Sequence, residues 1–291
     1  AYFRWLDDTV DERLVDQRER RAFVARQRTL LAQATAGAAP TDVSPEEALL
    51  VSLVRSAQAS ARRGEPAVGG LDGRSDGLLL CLHSMLDVMD LDARRRGSPV
   101  TQDELDDYTG RLAIAVTEAL HHCIGHGRCS PHDETRYVAV AGAHITHMLR
   151  DLAEDLDAGY LNIPSEVIAD RPVSFQDLHT PELRDWVRDR VALARSSFAT
   201  GRRCLAQTES PRCRLAGHAY IARFEWVLDT VERDGYRLRR SYPERATWRG
   251  GLTIAADGAR SALAGARPAA RRTRGVPKPG PAERSANRTV G

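Results

Sequence analysis

Apolar residues in this 291-residue chain recur every three or four positions and almost never every second one, so the sequence is patterned for helices. Leu6, Val10, Leu14, Val15, Phe23, Val24, Leu30 and Leu31 set that spacing from the start, until Pro40-Thr41-Asp42 breaks it. The same spacing predicts a helix over Pro45 to Arg62 with Leu49, Leu50, Leu53 and Val54 inward. It predicts another over Leu78 to Leu91 carrying Leu82, Met85, Leu86 and Met89. Thr101 followed by Glu104 is a capping-box pattern that opens a helix through Tyr108, Leu112, Val116 and Leu120. Further helices are expected from Thr135 to about Asp157, from Thr180-Pro181 onward, and from Pro211 to about Asp234. No stretch alternates long enough to read as a strand, and no repeat of solenoid length occurs. The expectation is a single all-α domain over residues 1–250.

Charge separates the rest. The segment from Asp257 to the C-terminus holds eight Arg/Lys and two Asp/Glu, a balance of +6, against +2 for the whole chain. The remainder is therefore −4. Residues 251–291 are rich in Ala, Gly, Pro and Arg without apolar periodicity, so they cannot bury enough surface to fold alone. They read as a basic, disordered tail whose charge is that of a solvated terminus, and no nucleic-acid partner is expected. Five scattered cysteines give no disulfide framework and point to a reducing, cytoplasmic setting. No apolar run has the length of a membrane span.

Two acidic segments carry the chemistry. Asp7 and Asp11 lie in one, with Arg4, Asp8 and Glu12 beside them; Asp151 and Asp155 lie in the other, with Arg150 and Glu154. Carboxylates four residues apart share a helix face. Two such faces opposed would form a nest of oxygen ligands suited to Mg²⁺ bridged to a phosphate. Spacing alone does not select these pairs, because Asp72/Asp76, Asp103/Asp107 and Asp185/Asp189 share it and such pairs often lie on solvated faces.

Context selects them. The run Ala141-Gly142-Ala143-His144-Ile145-Thr146-His147-Met148-Leu149-Arg150-Asp151, continuing through Glu154-Asp155 to Tyr160-Leu161-Asn162-Ile163-Pro164, resembles the second aspartate-rich region of squalene and phytoene synthases. The Arg4–Asp11 segment resembles the first. Met85, Asp87 and Asp90, then Glu104, Leu105 and Tyr108, follow in the family's order, and the likeness spans about residues 2–240. The resemblance implies an isoprenoid-synthase-type helix bundle around a central apolar cavity, joining two prenyl diphosphates (farnesyl or geranylgeranyl) head to head. It further implies Mg²⁺ at Asp7, Asp11, Asp151 and Asp155, with His147 as an additional contact and Asp8 and Glu154 in support. Arg4, Arg150 and His144 would meet diphosphate, Tyr108 would lie near the reacting centre, and Phe224 would line the cavity. Greasy substrates would permit peripheral membrane contact. A need for NADPH is not readable, since no G-x-G-x-x-G turn is present and the family's reductive members also lack one.

Three departures qualify the likeness. His144 and His147 stand where the family has Gln and Asn, and imidazole is a poorer Mg²⁺ ligand than an amide oxygen. Leu112-Ala113-Ile114-Ala115-Val116-Thr117 lacks the glycines that follow the family's tyrosine, which predicts a narrower cavity. The family's opening helix would lie before Ala1. These features keep two alternatives in view: cyclisation of a single C15 or C20 diphosphate, and a non-catalytic relative. Cys123, His126, Cys129 and His132 could be read as a zinc set, but four ligands within ten residues need a very tight wrap, and an ordinary loop is the simpler reading. The one lysine, Lys278, lies in the tail, so Schiff-base chemistry by a core lysine is excluded.

Overall fold

A computed structural model describes residues 1–62, 77–125, 133–170, 180–208 and 210–242. The zinc-like residues His126, Cys129 and His132, the pair Asp72/Asp76 and the basic tail lie outside the described residues. The helices are α1 (Tyr2–Asp8), α2 (Gln17–Thr35), α3 (Pro45–Arg62), α4 (Gly77–Arg95), α5 (Gln102–Leu120), α6 (Thr135–Asp157), α7 (Ser165–Asp170), α8 (Pro181–Ala206) and α9 (Pro211–Arg233). Two short strands, β1 (Pro99–Val100) and β2 (Leu161–Pro164), pair in parallel. No described helix is long and apolar enough to cross a membrane.

Local chemistry sets the helix ends as the sequence predicts. Glu104 N–H donates to Thr101 Oγ1 at 3.2 Å and Thr101 N–H donates to Glu104 Oε2 at 2.9 Å, which completes the capping box of α5. Thr180 caps α8 by accepting from Leu183 N–H at 3.3 Å, with Pro181 in the first turn. Periodicity misplaces two side chains. Leu49 is 42% exposed and Val15 is 87% exposed. Val15 fails because the first helix does not run on: after α1 the chain widens into a π turn at Thr9–Arg13, and Leu14 is extended. The strands were also not foreseen, being too short to show a period.

Two apolar clusters flank α5. The first joins α1, α2, α3 and α4 around Leu6, Val24, Leu50, Leu82 and Leu86, and Tyr108 and Leu112 of α5 pack against it. The second joins α6, α8 and α9 around Leu149, Leu152, Phe198, Ile221 and Leu228. Between α5 and α6 lies a smaller set including Ala113 and Val140, and a buried polar pin. In that pin Arg136 Nε donates to Glu118 Oε1 at 2.8 Å and Tyr137 Oη donates to the same oxygen at 3.0 Å. Burying this pair leaves little net stability but fixes which faces meet.

Helices α6 and α8 approach closely because small residues line both. A Cβ built on Gly201 would stand 2.5 Å from Ala139 Cβ and 3.0 Å from Ala139 Cα, and one on Gly142 would stand 2.8 Å from Ser197 Cβ. Gly201→Ala should therefore push the helices apart and cost about 1–3 kcal/mol. Gly110→Ala on α5, where an added Cβ meets nothing within 4 Å, should be neutral or slightly stabilising. Urea titration of the two variants checks the contrast.

Candidate active site

The site forms where the end of α4 meets the end of α6. Helix α6 closes in a glycine turn: Gly159 has φ +88°, and Tyr160 N–H donates back to Asp155 O at 2.7 Å. Gly97, with φ +76°, turns the chain after α4 and donates its N–H to Gly159 O at 2.8 Å. That bond and the β1–β2 pairing lock the two turns side by side. Arg95 and Arg96 on one turn thus face Tyr160 and Asn162 on the other.

Arg95 is the centre of what results. Its Nε donates to Asp92 Oδ1 at 2.8 Å and its Nη1 donates to Asn162 Oδ1 at 2.5 Å. The guanidinium lies 4.5 Å from the Tyr108 ring centroid and 5.3 Å from that of Tyr160. Each neighbour extends the network. Asn162 Nδ2 donates to Asp155 Oδ2 at 2.7 Å, Tyr160 Oη donates to Asp11 Oδ1 at 2.6 Å, and Tyr108 Oη donates to Asp92 Oδ2 at 3.2 Å. Asp11 and Asp155, 144 positions apart in sequence, are therefore tied to one cation through single intermediates.

The carboxylates differ in how they are compensated. Asp7, Asp11 and Asp155 form no ion pair with any described arginine. Burial, and then Asp11 and Asp8 nearby, pushes the Asp7 carboxyl above its usual range. Burial does the same for Asp155, against the amide of Asn162 and aided by Asp151. Asp151 is opposite. Burial works to raise it, but hydrogen bonds from His147 and Arg150 outweigh this and hold it well below the ordinary range. His147 Nδ1 is 2.9 Å from Asp151 Oδ2, and Arg150 Nη2 is 2.8 Å from His147 Nε2. Arg150 thus donates to Nε2 and leaves Nδ1–H to donate to Asp151, so both ring nitrogens are engaged.

The remaining expected residues separate into two groups. Tyr108 is half-buried, with its hydroxyl pushed up first by desolvation and then by Asp92. His144 stacks on it at 5.1 Å between centroids. Burial, with His147 and Arg95 nearby, pushes His144 down to about 3, and its Nε2 has no hydrogen-bond partner, so the ring is neutral. Phe224 lies 6.3 Å from His147 and 5.0 Å from Tyr220, both between ring centroids. Tyr220 continues into an apolar pocket lined by Thr117, Ala139, Val140 and Leu205 at the opposite end of α6. Arg4 and Asp8 stand apart from this group. They pair with each other at 2.8 Å, with the Arg4 side chain 77% exposed, and Glu154 is exposed as well.

Asp92, Arg95 and Arg96 did not emerge from the sequence as site residues. Three arginines closing a helix read as complements of its dipole. The one hint was Asn162, a polar residue in the otherwise apolar run Leu161-Asn162-Ile163-Pro164, and it is 4% exposed.

Among the described residues no three acidic, histidine or cysteine side chains converge into a ready metal cage. The set nevertheless suits a hard divalent cation. Mg²⁺ takes one or two carboxylates and completes its shell with water and substrate phosphate; Asp7 with Asp11 on one side, or Asp155 with Asp151 on the other, could supply them.

Asp92 yields a pH prediction. Burial outweighs Arg95 and pushes its carboxyl up to about 6 from 3.8. A carboxyl that titrates higher when folded contributes stability below its unfolded value, and this is lost as pH rises through the folded one. Asp92→Asn should flatten the fall in unfolding free energy between about pH 4 and 6 by roughly 1–3 kcal/mol. Urea titrations across that range, wild type against variant, measure it.

A search of curated proteins by sequence finds no match. The crystal structure of squalene synthase HpnC from Alicyclobacillus acidocaldarius superposes with a TM-score of 0.60 at 19% identity, over 82% of each chain, and so shares the fold. The family model for squalene/phytoene synthase matches residues 1–251. With that match over most of its length, the chain belongs to the squalene/phytoene synthase family.

Proposed function

We propose that the chain is a magnesium-dependent prenyltransferase that condenses two prenyl diphosphates, farnesyl or geranylgeranyl, head to head. The observation that supports the reading is that Asp11 and Asp155, from the two acidic segments, are both tied to Arg95, through Tyr160 and Asn162, and neither forms an ion pair among the described residues. Arg4 acts on Asp7 and Arg95 on Asp155 only at a distance, and burial outweighs both. Mg²⁺ held there would neutralise the departing diphosphate.

The chain's own residues account for the rest. Arg150 holds Asp151 in place and keeps Nη1 buried without a protein partner, an N–H available to a phosphate oxygen. When the allylic C–O bond breaks, the electron pair leaves with diphosphate, and the resulting cation needs walls that neither hydrate nor repel it. Tyr108, Phe224 and Tyr220 supply ring faces. Neutral His144 adds an imidazole without adding charge, which fits a wall better than the phosphate contact expected from sequence. The double bond of the second substrate then attacks the cation, and loss of a proton closes a cyclopropane. Tyr108 keeps its proton through this, since its hydroxyl titrates high. The catalytic unit is the domain over residues 1–250, and segment 251–291 follows it.

One observation favours a second reading, the cyclisation of a single diphosphate. Ile114 and Thr117 on α5 stand where the family's run has glycine, Thr117 buried and Ile114 packed against the α5–α6 cluster, leaving less room for two chains.

Incubation of the full chain with farnesyl or geranylgeranyl diphosphate, with and without Mg²⁺, should yield a C30 or C40 product by mass spectrometry. Asp7→Ala and Asp151→Ala should each lower its rate by at least about 100-fold. A C15 or C20 hydrocarbon or alcohol would instead establish the one-substrate reaction. Absence of any metal-dependent product would leave a non-catalytic relative.

A further inference from the structure

A separate open pocket of about 460 Å³ is lined by Asp11, Glu12, Arg20, Arg96, Gly97 and Gly159, among others. Arg20, in the first turns of α2, is 6% exposed, yet its Nε and Nη1 are buried without a hydrogen-bond partner. Nη2 is left as the nitrogen that reaches the pocket. Arg96 lines the other wall. It donates from Nη1 to Asp11 O at 2.9 Å and from Nε to Ala158 O at 3.2 Å, both neutral carbonyls. Neither arginine forms an ion pair among the described residues. Of the two carboxylates present, Asp11 already accepts from Tyr160 Oη, and Glu12 lies exposed at the rim.

A guanidinium withdrawn from water without a counter-charge is costly, and proteins normally pair it. Arg20 is such a group, and the half-buried Arg96, 5.9 Å from the Tyr160 ring centroid, adds a second cation to the same pocket. Together they match an anion with several oxygens, and guanidinium is the side chain whose fork fits phosphate. Gly97 and Gly159 form part of the wall. Their left-handed backbones exclude larger side chains and keep the approach to Arg96 clear.

We propose that Arg20 and Arg96 form an oxyanion subsite that binds diphosphate without metal. This goes beyond the condensation reading and does not depend on it. The ligand chemistry is the same whether the diphosphate is free or is the head of a prenyl substrate.

Calorimetric titration of the full chain with inorganic diphosphate in EDTA tests it, because no metal and no turnover are needed. Wild type should bind. Arg20→Met should weaken binding at least about tenfold, Arg20→Lys should recover part of it, and Arg96→Gln should weaken it independently should the first variant not fold. Without ligand, Arg20→Met should melt at the same temperature as wild type or a few degrees higher, since it removes an unpaired buried charge. Farnesyl diphosphate in EDTA separates the sources. Displacement of inorganic diphosphate by it would assign the subsite to the substrate head, and failure to displace would assign it to free diphosphate. Absence of binding to wild type, unchanged affinity in Arg20→Met and Arg96→Gln, or a marked fall in the ligand-free melting temperature of Arg20→Met would each overturn the proposal. The last would mean that Arg20 is paired with Glu12 or Asp11 in solution.

Discussion

The geometry of the site depends on the seat of Arg95. One guanidinium takes Asp92 on its own helix, Asn162 on β2, and the ring faces of Tyr108 and Tyr160 from two further elements. An ammonium could replace one of these contacts but not all four, because it lacks the planar fork and the stacking face. Through Asn162 and Tyr160 the same group fixes Asp155 and Asp11. The two aspartate segments are thus placed by a shared cation and by the paired glycine turns, and not by direct contact with each other.

That arrangement explains an asymmetry among the acids. Arg95 spends its charge on Asp92 and on a neutral amide, so Asp11 and Asp155 receive hydrogen bonds without neutralisation. Asp151 alone has a guanidinium and an imidazole on it. A site with every carboxylate salt-bridged would be more comfortable empty and less able to take a cation. Here Asp11 and Asp155 are oriented by neutral donors without an ion pair, an arrangement that a bound cation would stabilise. The apolar path from Phe224 through Tyr220 needs no such provision. It follows from small residues on α6 and ring-bearing residues on α9.

Much of this was legible in the sequence, and the reason is locality. Helical periodicity, the Thr101/Glu104 box and the Thr180-Pro181 start are decided within a few residues, and they held. Asp7, Asp11, Asp151 and Asp155 stood out through the family likeness of the local runs around them, since their four-residue spacing is shared with other pairs, and Asp11 in fact lies in the π turn after α1. Arg95 did not, since its role depends on partners 13, 65 and 67 positions away, and a basic residue at a helix end has a sufficient local explanation. Val15 and Leu49 failed for related reasons. The π turn at Thr9–Arg13 shifts the phase of everything behind it, and an apolar residue on a helix is not obliged to face the core.

The two histidines show where family likeness and local physics part. Replacing amides by imidazoles on the face of Asp151 would suggest a changed metal contact if the rings were free. His147 is not free, because both its nitrogens are committed within its own helix, and His144 is held neutral by burial beside Tyr108. A charged imidazole at either position would compete with a bound cation and repel a carbocation. Burial removes that conflict at His144. At His147 both ring nitrogens are occupied, by Arg150 and by Asp151. The substitution is therefore compatible with an intact acidic site, and its effect falls on the orientation of Arg150 and Asp151, which His147 joins.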